Sequence, residues 1–312
     1  MAKRKGGRPI SGWLAIDKPR GIGSTTLVNQ IKRLFDAKKV GHGGTLDPMA
    51  TGVLPIALGE ATKTMTFALD ARKSYQFDVK WGVETDSLDA DGVVTNTVAL
   101  RPSEADILRI IPKFLGVIEQ VPPKVSALKV DGKRAYDLAR DGQDFDLPAR
   151  QTEVYNLALL EHVGEHSRFR VEAAKGFYVR ALARDLAYAL GTLGHLTALR
   201  RVRSGPFVVE DCVTLDILTD LAHMSERDAF LMPLDRVLVD IPALDLGTEA
   251  AQQLRNGQSV AVFRKSLLDK VLTATANETG ERAIVLVLNR GEPVGMGQFE
   301  NGRIAPVRLF NL

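Results

Sequence analysis

Tyr75, Phe77, Val79 and Trp81 alternate strictly with Ser74, Gln76, Asp78 and Lys80, a period of two that predicts a strand with one buried face. Phe169, Val171 and Ala173 alternate in the same way with Arg168, Arg170 and Glu172. Residues 13–16 form a short apolar run that predicts a further strand, closed by a turn over residues 17–21. Helical spacing takes over at three places. Leu27, Ile31 and Leu34 share one face after Ser24, which is read as the N-cap. Pro102-Ser103 opens a second helix, with Asp106 completing a capping box. Residues 180–190 make the third, with Leu182, Leu186 and Leu190 on its buried side and Gly191 as its stop.

Beyond about residue 240 the texture changes. Asn256-Gly257, Arg290-Gly291 and Asn301-Gly302 punctuate short apolar runs, the mark of tightly turned strands in a small all-β unit. The division falls within 235–248, near Pro233 and Pro242. Strands grouped with strands, rather than regular strand–helix–strand units, predict an α+β class with a mixed, largely antiparallel sheet flanked by helices. A chain of 312 residues is long enough for two such units, each with its own core.

Composition narrows the function classes. No stretch approaches the roughly 18 apolar residues of a membrane span, and no apolar signal core follows the basic residues 1–9, so export is not expected. Cys212 is the only cysteine, which excludes a disulfide framework and every multi-cysteine zinc site and fits a reducing cytoplasm. The net charge of +3 is unspecific, but residues 168–203 hold eight basic residues against two acids. With the basic arm, that stripe is the footprint of a polyanion binder or else a solvated face.

The chemistry concentrates in residues 41–52, GHGGTLDPMATG. Gly43 and Gly44 permit unusual backbone angles and close approach of a ligand. Pro48 drives Asp47 out of the helical region and fixes the backbone that carries its carboxylate. A rigid loop presenting one acid beside glycines and His42 suits a nucleophile, although the same residues also make an ordinary capped turn. Other patterns are weaker. His162 and His166 have the H-x-x-E-H spacing of a zinc hydrolase, but Gly164 sits where a helix is needed. Asp86, Asp89 and Asp91 resemble a calcium loop without its closing glutamate, so turn chemistry accounts for them better. Residues 21–25 lack the lysine of a phosphate loop.

The run GHGGTLDPMATGVLPIALGEATK (residues 41–63) resembles the signature of the bacterial tRNA pseudouridine-55 synthases, and further matches follow in order. They are LAIDKPRGIGS from residue 14, KSYQFDVKWGVETDSLDADG from 73, VPPKVSALKVDGKRAYDLARDG from 121, KGFYVRALARDL from 175 and LRRVRSG from 199. Together they span nearly all of residues 10–235, and the tail GEPVGMGQFENGRIAPVRLF is similar to the family's small PUA-like domain. Gly43-Gly44-Thr45 stands where many members carry Thr-Gly-Ala, a difference that leaves the acid and its proline untouched.

The resemblance implies a basic arm over 1–9, a catalytic domain over 10–240 with an RNA-clamping insertion at 124–152, and a PUA-like RNA-binding domain over 241–312. It implies isomerisation of uridine 55 in the T loop of tRNA, by base flipping, with neither cofactor nor metal. Asp47 takes the place of the acting carboxylate, at the sugar or at the base. Arg180 matches its cationic partner and Tyr75 the aromatic that stacks on the extruded pyrimidine or relays a proton. His42, Tyr178, Leu199, Lys18 and Lys63 match substrate-binding positions. Lys124, Lys129, Lys133, Arg134, Arg140, Arg200 and Arg201 are expected on phosphates. The expected partner is the T arm of tRNA, with the protein a cytoplasmic monomer and neither membrane nor guide RNA involved. A tRNA-folding chaperone with secondary catalysis and a guide-RNA-dependent synthase are the alternatives.

Overall fold

The computed structural model describes residues 6–126, 128–130, 132–140, 143, 145–262 and 282–312, with the backbone alone at 129, 130, 134, 137, 139, 140 and 282. Ten strands make one sheet: β1 (Gly12–Lys18), β2 (Val40–His42), β3 (Thr51–Leu58), β4 (Lys73–Trp81), β5 (Gly116–Gln120), β6 (Arg150–Val163), β7 (His166–Ala173), β8 (Gly194–Ser204), β9 (Phe207–Val208) and β10 (Val213–Thr214). Their order is β10-β1-β3-β8-β4-β7-β6-β5, with β2 beside β3 and β9 beside β8. The pairs β1–β10 and β3–β8 run parallel and the others antiparallel. The fold is α+β, with a mixed, largely antiparallel sheet.

The alternation read in β4 and β7 decides which face is covered. Phe77, Val79, Trp81, Phe169 and Val171 are buried in one core with Leu182, Ala183, Leu186 and Ala187 of helix α2 (Val179–Ala189). The rings of Phe77 and Phe169 stack at 5.2 Å, and Trp81 meets Phe169 edge-on at 6.2 Å. The Trp81 indole N–H donates to the Ser167 hydroxyl at 2.8 Å, so this ring is buried without an orphan donor.

Two local readings are corrected. Asp17 and Lys18 belong to β1, held there by pairing with Val53 and Gly52, and the turn begins only at Pro19. Helix α1 (Ser24–Leu34) has Gly23 at its N-cap, because the Ser24 hydroxyl is spent across the fold, donating to the Leu46 carbonyl at 2.8 Å and accepting from the Leu46 N–H at 2.9 Å. The capping box of Ser103 and Asp106 is present at the head of residues 104–110.

A second, five-stranded sheet closes the chain: β11 (Ala243–Asp245), β12 (Val260–Ala261), β13 (Arg282–Asn289), β14 (Glu292–Glu300) and β15 (Arg303–Leu309), ordered β11-β13-β14-β15-β12. Arg290-Gly291 and Asn301-Gly302 turn its hairpins with both residues of each pair at positive φ, the conformation that tight two-residue turns require. Asn256-Gly257 instead ends a helix, Thr248–Arg255, packed on this sheet. Leu286, Met296 and Phe310 join Trp13, Ala15, Val53, Phe207 and Leu234 in a shared apolar cluster, so the two sheets are welded rather than strung.

Candidate active site

Asp47 sits on a loop tied down along its whole length. Lys18, fully buried beneath it, donates from its ammonium to the carbonyls of Pro48 (3.2 Å), Ile22 (2.7 Å) and Pro19 (2.9 Å). Burial pulls the Lys18 ammonium down to about 8, against the opposing pull of the Asp47 charge. Arg201, also buried, donates to the carbonyls of Gly44 (3.0 Å), Thr45 (3.4 Å) and Val53 (2.7 Å). Ser24 clamps Leu46 and the Gly21 N–H donates to the Pro48 carbonyl at 2.8 Å. A carboxylate on such a loop is held in place before substrate arrives, which is what electrostatic catalysis requires.

Arg180, at the head of α2, is 5% exposed and divides its guanidinium among four acceptors. Nη2 pairs with Asp47 Oδ2 at 3.0 Å and donates to the Val125 carbonyl at 2.9 Å. Nη1 donates to the Ser87 carbonyl at 2.9 Å and faces Asp89 Oδ2 at 3.5 Å. Asp89 is itself buried and fixed by the Ser87 hydroxyl (2.5 Å) and the Asp91 N–H (3.1 Å), in a turn that holds Leu88 at φ +62. One buried cation thus stands between a buried carboxylate behind it and a 36%-exposed one, Asp47, in front. Gln120 fixes the residue before the helix turn, accepting from the Tyr178 N–H (3.1 Å) and donating to its carbonyl (3.3 Å). One turn further along, Arg184 donates to the Val121 carbonyl at 2.9 Å, so α2 holds both ends of the segment that enters the insertion.

Asp47, Tyr75, Tyr178, Arg180 and Leu199 line one cavity of about 280 Å³, together with Lys73, Ser126, Phe177 and Arg201. Tyr75 comes from β4, directly opposite Arg201 of β8. Burial raises the Tyr178 hydroxyl above its usual range. Lys73 caps the last turn of residues 65–70, donating to the carbonyls of Ala68 (3.2 Å), Ala71 (2.6 Å) and Leu69, and burial pulls it down to about 8.

Several sequence-predicted residues take other places. Lys18 and Arg201 spend their donors on backbone carbonyls inside the fold, so neither offers a free cation to a phosphate or a base. Lys63 lies at the seam with the second sheet, donating to Glu60 (2.6 Å) and to the Leu309 carbonyl (2.7 Å). Arg200 forms a bidentate pair with Asp17 at 2.9 and 2.7 Å. His42 lies on β2 outside the cavity lining, half-buried, its ring pulled below its ordinary pKa by burial and by the Arg201 charge. Lys124 and Lys133 are exposed, with Lys124 5.8 Å from the Phe145 ring; the side chains of Lys129, Arg134 and Arg140 lie outside the described residues. His162 and His166 straddle the β6–β7 hairpin, where the His162 ring meets the Ser167 hydroxyl at 2.7 Å.

Asp89, Lys73, Ser126 and Gln120 were not singled out as site residues. Asp89 carried a signal, one acid among three in a turn, but nothing local distinguishes it from Asp86 and Asp91. Only the distant Arg180 does.

Residues 32–179 match the TruB family pseudouridylate synthase N-terminal domain, 180–239 the tRNA pseudouridylate synthase B C-terminal domain, and 242–310 the pseudouridine synthase II TruB C-terminal domain. The tRNA pseudouridine synthase B of Caulobacter vibrioides is 42% identical over 313 residues, covering 100% of both chains. The chain belongs to the TruB family of pseudouridylate synthases. The Rhodospirillum rubrum tRNA pseudouridine synthase B is 45% identical, again with both chains fully covered. Among solved structures, the crystal structure of a Cbf5–Nop10–Gar1 complex superposes with a TM-score of 0.70 at 25% identity, covering 96% of this chain and 84% of that one. An H/ACA RNP bound to a substrate RNA containing 2'-deoxyuridine gives a TM-score of 0.71 at 23% identity, covering 100% and 92%, a likeness of fold. Within this TruB-family fold the five-stranded sheet is the PUA-like C-terminal domain.

Proposed function

We propose that this protein converts uridine 55 in the T loop of tRNA to pseudouridine, with Asp47 as the acting carboxylate. The observation that carries the reading is the Asp47–Arg180 pair at 3.0 Å, set in a cavity walled by Tyr75 and Leu199. Relatives 42% and 45% identical over the full chain are named tRNA pseudouridine synthase B, which supports a tRNA substrate over a guide-dependent role.

The reaction is an isomerisation, balanced without oxidant or co-reactant. The N1–C1' bond breaks, the uracil turns, C5 bonds to C1', and the C5 proton is lost while N1 gains one. Asp47 supplies the charge that acts at the sugar or the base, and Arg180 holds its carboxylate in place at 3.0 Å. Tyr75 and Leu199 present flat and apolar surface to an extruded pyrimidine, whose atoms are inaccessible within a folded loop. The insertion at 124–152, anchored by Arg180 and Arg184 at its entry, is suited to closing over the RNA arm. The division into an arm over 1–9, a catalytic domain over 10–240 and an RNA-binding domain over 241–312 is part of the same reading. So is a cytoplasmic setting, where tRNA is found.

The test is pseudouridine mapping on an unmodified tRNA transcript incubated in EDTA with wild-type protein or the Asp47→Asn variant. One modified T-loop uridine with wild type, and none with Asp47→Asn despite retained RNA binding, is expected. Product at wild-type levels from the variant would remove Asp47 from the reaction, and no product from either would leave a tRNA-binding chaperone as the better reading.

A further inference from the structure

Ser126 stands at the mouth of the insertion, on the wall of the cavity that holds Asp47. Its main chain is satisfied: the N–H donates to the Lys124 carbonyl and the carbonyl accepts from the Tyr136 N–H, both at 3.0 Å. Its side chain is not. The residue is 5% exposed, and its hydroxyl has no hydrogen-bond partner among the described residues. A buried hydroxyl left unpaired is costly, and native folds seldom leave one without a reason.

The surroundings point to that reason. Val125, the preceding residue, gives its carbonyl to Arg180 Nη2, the same nitrogen that holds Asp47. The Ser126 backbone is therefore fixed one residue from the reacting pair. The cavity's other cations are committed elsewhere, Arg201 and Lys73 to backbone carbonyls and Arg180 to its four acceptors. The Ser126 hydroxyl keeps its bonding capacity unspent in the buried wall of that cavity.

Resting on the reading of this cavity as the site of uridine isomerisation, we infer that the Ser126 hydroxyl hydrogen-bonds the extruded uridine and positions it against Asp47. A hydroxyl rotates to give or to take a proton, so it serves to hold the nucleotide rather than to tell one pyrimidine from another. Because the hydroxyl has no internal partner, removing it relieves the free protein and penalises only the complex.

The experiment compares wild type, Ser126→Ala and Ser126→Cys in single-turnover pseudouridine formation on an unmodified T-arm stem-loop, alongside thermal unfolding of each free protein. Ser126→Ala is expected to lower the rate about five- to tenfold, the worth of one hydrogen bond, with no fall in melting temperature. Ser126→Cys, close in size but a weaker donor, is expected to fall between. A wild-type rate in Ser126→Ala would overturn the inference, and so would a clear loss of melting temperature, which would reveal an internal partner. Absence of product from wild-type protein would instead overturn the reading of the site itself.

Discussion

Replacing Asp89 with Asn would keep the shape of its turn and remove the charge behind the Arg180 guanidinium. Asp89 does not line the cavity, so it acts through Arg180, as a positioning residue. The guanidinium would keep the Ser87 and Val125 carbonyls but lose its rear anchor, and its orientation toward Asp47 would loosen. Asp89→Asn is expected to lower kcat roughly tenfold, the scale of one hydrogen bond to a charged group, with RNA affinity unchanged. Equal kcat in variant and wild type would show that the two carbonyls suffice. At this scale the sequence was legible where a motif could be matched: Asp47, Tyr75, Tyr178, Arg180 and Leu199 do meet in one cavity. It was silent on what Lys18, matched to a substrate-binding position, and Arg201, expected on a phosphate, bond within the protein itself. Only the fold reveals that backbone carbonyls have claimed both side chains.

Elements position the site through backbone crossings that tolerate no side chain. Gly52 pairs with Lys18 on β1 and with Arg201 on β8, at φ +97, where an added Cβ would overlap the Arg201 backbone. Gly21 has a similar φ of +87 but open space around it. Gly52→Ala therefore carries both backbone strain and a clash between neighbouring strands, while Gly21→Ala carries strain alone. Urea unfolding is expected to show a loss of about 1 kcal/mol for Gly21→Ala and about 3 kcal/mol or more for Gly52→Ala. Equal losses would mean that φ alone sets the cost. Strands were the most legible elements, since alternation over β4 and β7 follows directly from one covered face. Ends were less so. Ser24 has the composition of an N-cap, yet its hydroxyl bonds Leu46, twenty-two residues away. Asn256-Gly257 has the composition of a hairpin, yet closes a helix.

Across the whole molecule, the basic stripe of residues 168–203 does not survive folding as one surface. Arg180 and Arg201 turn inward, Arg168 pairs with Asp78, Lys175 with Asp70 and Arg200 with Asp17. Adjacency along a chain that passes through β7, α2 and β8 is not adjacency on a surface. The second sheet was equally hidden as a packing partner: its existence was visible in its turns, its dependence on the first sheet was not. Trp13 is fully buried between them, its indole N–H shared by the Thr64 hydroxyl and the Leu234 carbonyl at 3.2 Å each. Leu286, Met296 and Phe310 cover that cluster, and the Asn311 N–H and Leu309 carbonyl reach Glu60 and Lys63 at 2.7 Å each. Each apolar side chain of that kind is worth about 1.5–3 kcal/mol when buried. A chain ending at residue 240 should therefore lose stability as well as an RNA-binding surface, unfolding at lower temperature and associating through the bared patch. Thermal unfolding and light scattering of that truncation against the full chain decide the point. A truncated protein that melts with the full-length one, and stays monodisperse, would make the second sheet a passenger on the first.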